Sequence, residues 1–407
     1  MPALRVPWSW VHLRSCGWGS GRRWSAAILA MPVGIALWAI GFRLVSALLA
    51  RFVTLTFPLA THEQFTVFGT TNPFWDTFAR FDTGHFQAIA WSGYAPAAGG
   101  RSNIAYFPVY PMLMRMVGRL FGRSHATYYL SGIGISWVCF VLAMFALYSL
   151  ARLDLPRHRA ERAVLLTMIF PFSFFFGVAY SESTFLLFTV LAFYAFRTRH
   201  WFAGGLCGAI ATATRVPGIL MVPALACIAW QHAEPIRRDR ASAAAGLALA
   251  ASGFGAYCFY IFHLTGHPFE WVAALQRWGY HPGGSPWAAP LTLLRHLVAH
   301  PRVYLSTDPM AVYDTLYGLT AILFTLAIPF VWRQFGAGYG VYMLLNLWLP
   351  LSSGLFEGLG RYCSVLFPCF IWLATIRSRS VATAVVVTFA LFYTLALALF
   401  TTIHPLY

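Results

Sequence analysis

The sequence predicts an all-α, polytopic membrane protein of about eleven transmembrane helices, with interfacial helices in a long first extracytoplasmic loop. Three observations predict it. Hydrophobic residues make up 59% of the 407 and charged residues only 10%, against roughly a quarter charged in a soluble domain. Apolar runs at 242–264, 312–331 and 381–403 each approach the ~20 residues that a spanning helix requires. The basic residues, all arginine, stand in short clusters between such runs rather than along one stripe. That is how topology signals are spaced, and it is unlike a nucleic-acid-binding face. Despite a formal charge of +16, no nucleic-acid partner is expected.

Taken in order, Arg5, Arg14, Arg22 and Arg23 precede the first apolar run, about Trp24 to Ala50, and place the N-terminus in the cytoplasm. That run is too long for a cleaved signal peptide. It is expected to stay as the first helix and to exit near Arg51, with Arg43 snorkelling to the interface near its outer end. Residues 51–125 then form an extracytoplasmic loop with two amphipathic stretches expected to lie as helices in the interface. The first is 74–92, with Phe74, Phe78, Phe81 and Ile89 near helical spacing. The second runs from Tyr106 to Gly122, with Met112, Met116 and Leu120 apolar and Arg115 and Arg119 one turn apart.

A helix at 126–151 returns to a basic turn containing Arg152, Arg157, Arg159 and Arg162. Two short runs, 165–179 and 183–197, around Tyr180-Ser181-Glu182-Ser183 read as a hairpin with its tip outside, because basic residues flank both ends. Residues 202–230 repeat the arrangement. Both Arg197/Arg199 and Arg237/Arg238/Arg240 belong in the cytoplasm, so two short or bent helices are expected to meet at Arg215-Val216-Pro217-Gly218, where Pro217 and Gly218 supply the break; the alternative is one long helix kinked there against the charge rule. Helix 242–264 exits to a second extracytoplasmic loop, 265–311, rich in Trp, His, Pro and Gly. Helices 312–331, 337–352, 362–376 and 381–403 complete a single integral membrane domain, 1–407, whose C-terminus is outside. The seven cysteines show no metal-ligand spacing and read as small core residues. The expected location is a cell inner (plasma) membrane, multi-pass, among membrane lipids.

This topology brings Asp82, Glu182, Glu357 and Arg361 toward the outer face, with the tip that carries Arg215 able to reach it. Asp82 fits a general base that takes a proton from a sugar hydroxyl. It equally fits a helix N-cap or a surface ion pair, and the residues alone leave these open. His85, three residues on, would share a helical face with Asp82. No second such pair is evident, so a hydrogen-bonding histidine and no metal site are expected. Asp76 and Arg80, four apart, read as an ion pair on the solvated side, with Arg80 also a candidate for holding phosphate.

Glu182 and Arg215 carry more information, because charged groups at the tips of apolar helices are costly and tend to mark sites. Arg215 suits a phosphate, which guanidinium binds through charge-assisted pairs. The alternative is a buried structural pair, Glu182 with Arg215. Glu357 and Arg361 read first as a loop ion pair and second as substrate contacts. Tyr106-Phe107-Pro108-Val109-Tyr110-Pro111 makes a rigid aromatic lead-in to the second amphipathic helix, suited to a sugar ring, a prenyl tail or the membrane interface. Nothing resembles a phosphate-binding Gly-rich loop or a serine nucleophile elbow, so a donor substrate should be presented within the membrane.

Arg80-Phe81-Asp82, followed by Ile89-Ala90 and Gly93-Tyr94, resembles the Arg-Trp-Asp, Ile-Ala, Gly-Tyr motif of the glycosylphosphatidylinositol mannosyltransferase II (PIG-V-like) family and its bacterial relatives. The resemblance continues through Phe107 to Pro111, Tyr180 to Ser183, and Arg215 with Gly218, with a weaker echo at Arg361-Tyr362. It implies a C-type (GT-C) membrane glycosyltransferase using a polyprenyl-phosphate sugar donor, commonly a mannose, with inversion and without a nucleotide cofactor or essential metal. The expected roles are Asp82 as base, Arg215, Arg80 and Arg361 on donor phosphate, and His85, Tyr106, Tyr110, Glu182 and Glu357 on substrate. Phe81 stands where Trp is usual and Phe86 where Tyr is usual. Those changes keep an apolar wall and lose polar tips, so they bear on sugar and acceptor. The short form points to an outer-leaflet lipid, glycan or protein acceptor. Two readings from other classes stay open. One is a glycolipid transporter or flippase, since short hairpins also build broken transporter helices, although the C-terminal half holds no second copy of the hairpin pair. The other is a catalytically inactive membrane scaffold.

Overall fold

The computed structural model describes residues 33–60, 73–95, 102–281, 283–299, 309–353, 356 and 358–406. The expected start of the first helix, Cys16 and Glu357 lie outside the described residues. Every regular element among the described residues is helical. The chain begins with α1 (Val33–Thr56) and a helical turn at Pro73–Asp76, then α2 (Thr83–Ser92), α3 (Val109–Leu120), α4 (His125–Ala151) and α5 (Arg157–Ile169). It continues through α6 (Glu182–Arg197), α7 (Trp201–Thr212), α8 (Met221–His232) and α9 (Arg237–Thr265). Next are α10 (Glu270–Arg277), α11 (Ala288–Ala299), α12 (Pro309–Phe335), α13 (Ala337–Leu351), α14 (Leu359–Ser364), α15 (Phe367–Leu373) and α16 (Arg379–Thr401). Five of these, α1, α4, α9, α12 and α16, are long and apolar enough to cross a membrane.

Five local expectations are corrected. Arg51 does not end the first helix, which continues to Thr56, and Arg43 does not snorkel. Arg43 is 3% exposed, its guanidinium lies 4.0 Å from the Phe140 ring centre, and it donates to the Ser173 carbonyl at 3.2 Å. Gly177 makes the room, because a Cβ there would sit 2.5 Å from Arg43 Nη1. The stretch 74–92 is not one helix; it breaks after Asp76, and Phe81 adopts φ +49°, a left-handed conformation uncommon for an aromatic residue. Residues 165–179 are not one helix either. Pro171 excludes the helical region for Phe170, which turns to ψ 139°, and a 3₁₀ turn Ser173–Gly177 follows. The run 362–376 splits into α14 and α15 because Pro368, lacking an N–H, sits in the first turn of a new helix. By contrast, α7 and α8 do meet across Arg215-Val216-Pro217-Gly218 as expected, with a 3₁₀ turn at Val216–Gly218.

The arginine clusters gather at one end of the bundle. Arg197 holds Asp154 through two bonds of 2.8 Å and donates to the Tyr339 hydroxyl. Arg199 pairs with Glu234 and Asp239, Trp201 Nε1 donates to Asp239, and Arg162 donates to the Ile376 carbonyl at 2.9 Å. From that end α6, with 16 residues, climbs only about 24 Å, and α7 and α8, with 12 each, about 18 Å. Their neighbours α4 and α9, of 27 and 29 residues, reach about 40 Å or more. The short helices therefore stop beside long ones, and their tips, bearing Glu182 and Arg215, lie recessed in the bundle.

Small residues let α7 and α9 approach closely enough to fix one of those tips. A Cβ on Gly205 would lie 2.5 Å from the Gly246 carbonyl, and one on Gly253 only 1.9 Å from the Ala209 carbonyl. Thr212 Oγ1 then donates to the Ala250 carbonyl and accepts from the Phe254 N–H. Because the clash at Gly253 is with backbone, Gly253→Leu cannot be absorbed by a rotamer change. It is expected to cost about 3 kcal/mol or slightly more by overpacking. A thermal midpoint in detergent equal to wild type would refute this account of the α7–α9 contact.

Candidate active site

At the recessed tips a cavity of about 620 Å³ opens. Asp82, Arg215 and Arg361 line it, and Glu182, buried behind the wall, joins them into a ladder of four charged side chains from four separate segments. Arg361, on α14, donates from Nη1 to Asp82 Oδ2 at 2.5 Å and from Nε to Glu182 Oε1 at 2.7 Å. Arg215 Nη1 lies 2.6 Å from the same Glu182 oxygen, in ion-pair contact but off the hydrogen-bond direction. The ladder thus runs Asp82, Arg361, Glu182, Arg215, two charges of each sign. Glu182 is fully buried, while the Asp82 side chain keeps 22% of its surface exposed. Glu182 Oε2 is buried without a hydrogen-bond partner among the described residues.

The sequence arranges each rung locally. Phe81 turns the chain, and α2 starts at Thr83, whose hydroxyl donates to the Arg80 carbonyl at 2.9 Å. Asp82 occupies the N-cap position of α2, yet its side chain makes no capping bond. The N-cap alternative therefore fails, because the carboxylate is turned to Arg361 instead. Its other oxygen, Oδ1, accepts from the Tyr106 hydroxyl at 3.0 Å, and the Asp82 N–H donates to the Tyr180 hydroxyl at 3.2 Å. The Arg361 guanidinium lies 4.6 Å from the Tyr180 ring centre and 5.3 Å from that of Phe175, favourable cation–π distances. Burial pushes the Asp82 carboxyl up, but Arg361, with His85 and the Tyr106 hydroxyl, outweighs burial and holds it below its ordinary value.

His85 and Tyr106 line the cavity, stacked with centres 4.9 Å apart and planes at 14°. Trp278, just past the end of α10, stands edge-on to His85 at 4.8 Å. Tyr110 does not line the cavity. It is fully buried one layer behind Phe86, and its hydroxyl donates to the Gly132 carbonyl. Arg80 is also absent from the wall. It is 4% exposed, directed at the Thr401 carbonyl, with Asp76 as its electrostatic partner. Asp76 is itself 2% exposed, so the pair expected on a solvated side is buried. Arg361 pairs with Asp82 and Glu182; Glu357, its expected partner, lies outside the described residues. Sequence reasoning assigned no role to Tyr180, Trp278, Trp271 or Tyr362, although all but Tyr180 line the cavity. The composition of 265–311 was the available signal for the two tryptophans.

A multi-pass helical membrane protein that recesses two carboxylates and two arginines around a substrate-sized cavity has the outline of a membrane-embedded transferase. The family model for mannosyltransferase (PIG-V) matches residues 33–238, half of the chain. The chain belongs to that family. Asp82, Glu182 and Arg215 fall inside the matched span, and Arg361 lies beyond it. No curated protein matches the chain. Among solved structures, the apo oligosaccharyltransferase of Archaeoglobus fulgidus is similar at 14% identity and TM-score 0.46, over 91% of this chain and 56% of that one. The same organism's AglB, in complex with an inhibitory peptide and a dolichol-phosphate, is similar at 15% and 0.46, over 90% and 55%. This chain therefore spans about half the length of those proteins.

Proposed function

We propose that this protein transfers a sugar, mannose in the first instance, from a polyprenyl-phosphate donor to an outer-leaflet lipid, glycan or protein acceptor, with inversion. The observation that carries the reading is the ladder at the cavity, where partly exposed Asp82 pairs with Arg361 and buried Glu182 holds Arg361 and Arg215 together. Asp82 takes the proton of the acceptor hydroxyl as its oxygen attacks the anomeric carbon. The bond from that carbon to the phosphate oxygen breaks, and the electron pair leaves with the phosphate. Phosphodiester monoanion becomes polyprenyl phosphate dianion, and Arg361 and Arg215 meet the added charge. His85, Tyr106 and Trp278 offer ring faces and edges to the sugar. Arg80 and Tyr110, set behind the wall, hold the Asp82 turn and α3 in place. In this reading the arginine-rich end faces the cytoplasm, the cavity opens on the extracytoplasmic side of the inner membrane, and α2 and α3 lie at the interface. Met112, Met116 and Leu120 of α3 are exposed, as an interfacial helix requires.

The test is transfer by the purified protein in nanodiscs, from radiolabelled polyprenyl-phosphate mannose to extracted membrane lipids, alongside a panel of other polyprenyl-phosphate sugars. Labelled product from at least one donor is expected, with the acceptor read from that product. No product from any donor, with or without added peptides and glycans, would turn the reading toward glycolipid transport or scaffolding.

A further inference from the structure

We infer that Asp82 and the donor's phosphate compete for Arg361, so that the donor must bind before Asp82 can act as a base. This rests on the donor class proposed above and adds to it an order of events.

Three features of the ladder lead here. First, both Asp82 oxygens are engaged, Oδ2 by Arg361 at 2.5 Å and Oδ1 by Tyr106 at 3.0 Å. A carboxylate held by a guanidinium is a poor proton acceptor. Second, Arg361 is built to let go of one partner only. Its Nε is anchored on fully buried Glu182, and its plane is cradled by Tyr180 and Phe175. The Asp82 carboxylate can therefore turn away from Nη1 while the Arg361 side chain stays in place. Third, the ladder is already charge-balanced, with two carboxylates against two guanidiniums. A phosphodiester adds a third negative charge, and binding it requires a guanidinium to transfer to it from a carboxylate. Glu182, fully buried, cannot be left uncompensated without a large penalty. Asp82, with its partly exposed side chain, can face an incoming hydroxyl instead.

In-line geometry points the same way. The attacking oxygen approaches to roughly 3 Å on the face of the anomeric carbon opposite the leaving phosphate. With Nε committed to Glu182, the phosphate reaches Arg361 through the same outer edge that holds Asp82, and the two anions repel one another there. With the donor bound, the groups facing Asp82 are Tyr106, Tyr180 and His85, with Arg361, Glu182 and Arg215 turned to the phosphate side. The Asp82 carboxyl then rises from its depressed value, and the proton it takes from the acceptor has a place to go.

The experiment is equilibrium binding of a polyprenyl methyl phosphodiester to the full chain in nanodiscs. That probe carries one charge that does not titrate between pH 4 and pH 8 (on the order of the usual phosphodiester behaviour), and it carries no sugar, so donor sugar identity does not enter. Competition predicts that Asp82→Asn binds the probe about tenfold more tightly than wild type. It also predicts that wild-type affinity rises as pH falls toward the ordinary carboxylate value of 3.8, with net proton uptake. The sign follows from linkage: the carboxyl binds protons more tightly once Arg361 has left, so binding and protonation favour each other. The pH dependence should vanish in Asp82→Asn, and the wild-type measurement stands even if that variant misfolds. Equal or weaker binding by folded Asp82→Asn, or wild-type binding with no proton uptake, overturns the competition and leaves the proposed function intact. No binding by either protein overturns the donor class itself.

Discussion

Asp82→Asn is expected to lower the turnover of sugar transfer by about 10²–10⁴-fold, the range for removing a general base. The amide is isosteric with the carboxylate, and its carbonyl oxygen can still accept from Arg361 or Tyr106. The main-chain bond to Tyr180 is untouched. Arg361 keeps its anchor on Glu182, so its guanidinium retains one carboxylate partner. What disappears is the ability to hold a proton. Transfer should therefore collapse at equal expression and unchanged thermal midpoint, while donor capture persists. A variant that retains transfer within about tenfold of wild type would show that another group takes the acceptor's proton, since losses of that size are smaller than a base usually contributes. His85, stacked on Tyr106 at the cavity wall, would be the next residue to test.

Much of this site was legible from local sequence, and the part that was not shares one physical cause. Asp82, Glu182 and Arg215 announce themselves because a charge at the end of an apolar run is costly unless it is used. The broken helix at Pro217 follows directly from backbone chemistry and charge bookkeeping. The pairing of Arg361 with Asp82 was out of reach because spacing rules see only residues three or four apart. Asp82 is 279 positions away. The break at Pro368, which makes α14 a separate short helix, sits inside an apolar run and was read through. Arg43 was misread for a related reason. Snorkelling is the default for an arginine near a helix end, but the default yields when another element leaves a gap for it, here at Gly177. Hydropathy reports the length of a segment and not what stands beside it, so the tight α7–α9 contact was invisible as well. Phe81 carries the least readable feature, since nothing in its identity predicts a positive φ, yet that turn is what directs Asp82 into the cavity.

Glu182→Gln is expected to be the most damaging single substitution for stability. Two guanidiniums converge on one oxygen of this fully buried carboxylate. Replacing it with an amide leaves both beside a neutral group, and removing one partner of a buried ion pair typically costs about 3–5 kcal/mol. Arg361 would still be held by Asp82; Arg215, whose guanidinium lies 5.5 Å from the Tyr362 ring centre, would be left without its carboxylate. Donor binding should fall along with the thermal midpoint, because the arginines lose the anchor that aims them. A double-mutant cycle separates charge compensation from packing. If the cost is the uncompensated Arg215, then Glu182→Gln with Arg215→Gln should be more stable than Glu182→Gln alone, with a coupling of roughly 1–3 kcal/mol. Additive losses would mean that each side chain matters for its packing and that the ladder carries no electrostatic linkage. In that event Arg361 would have no fixed pivot on Glu182, and a transfer of its free end from Asp82 to phosphate would lose its structural basis.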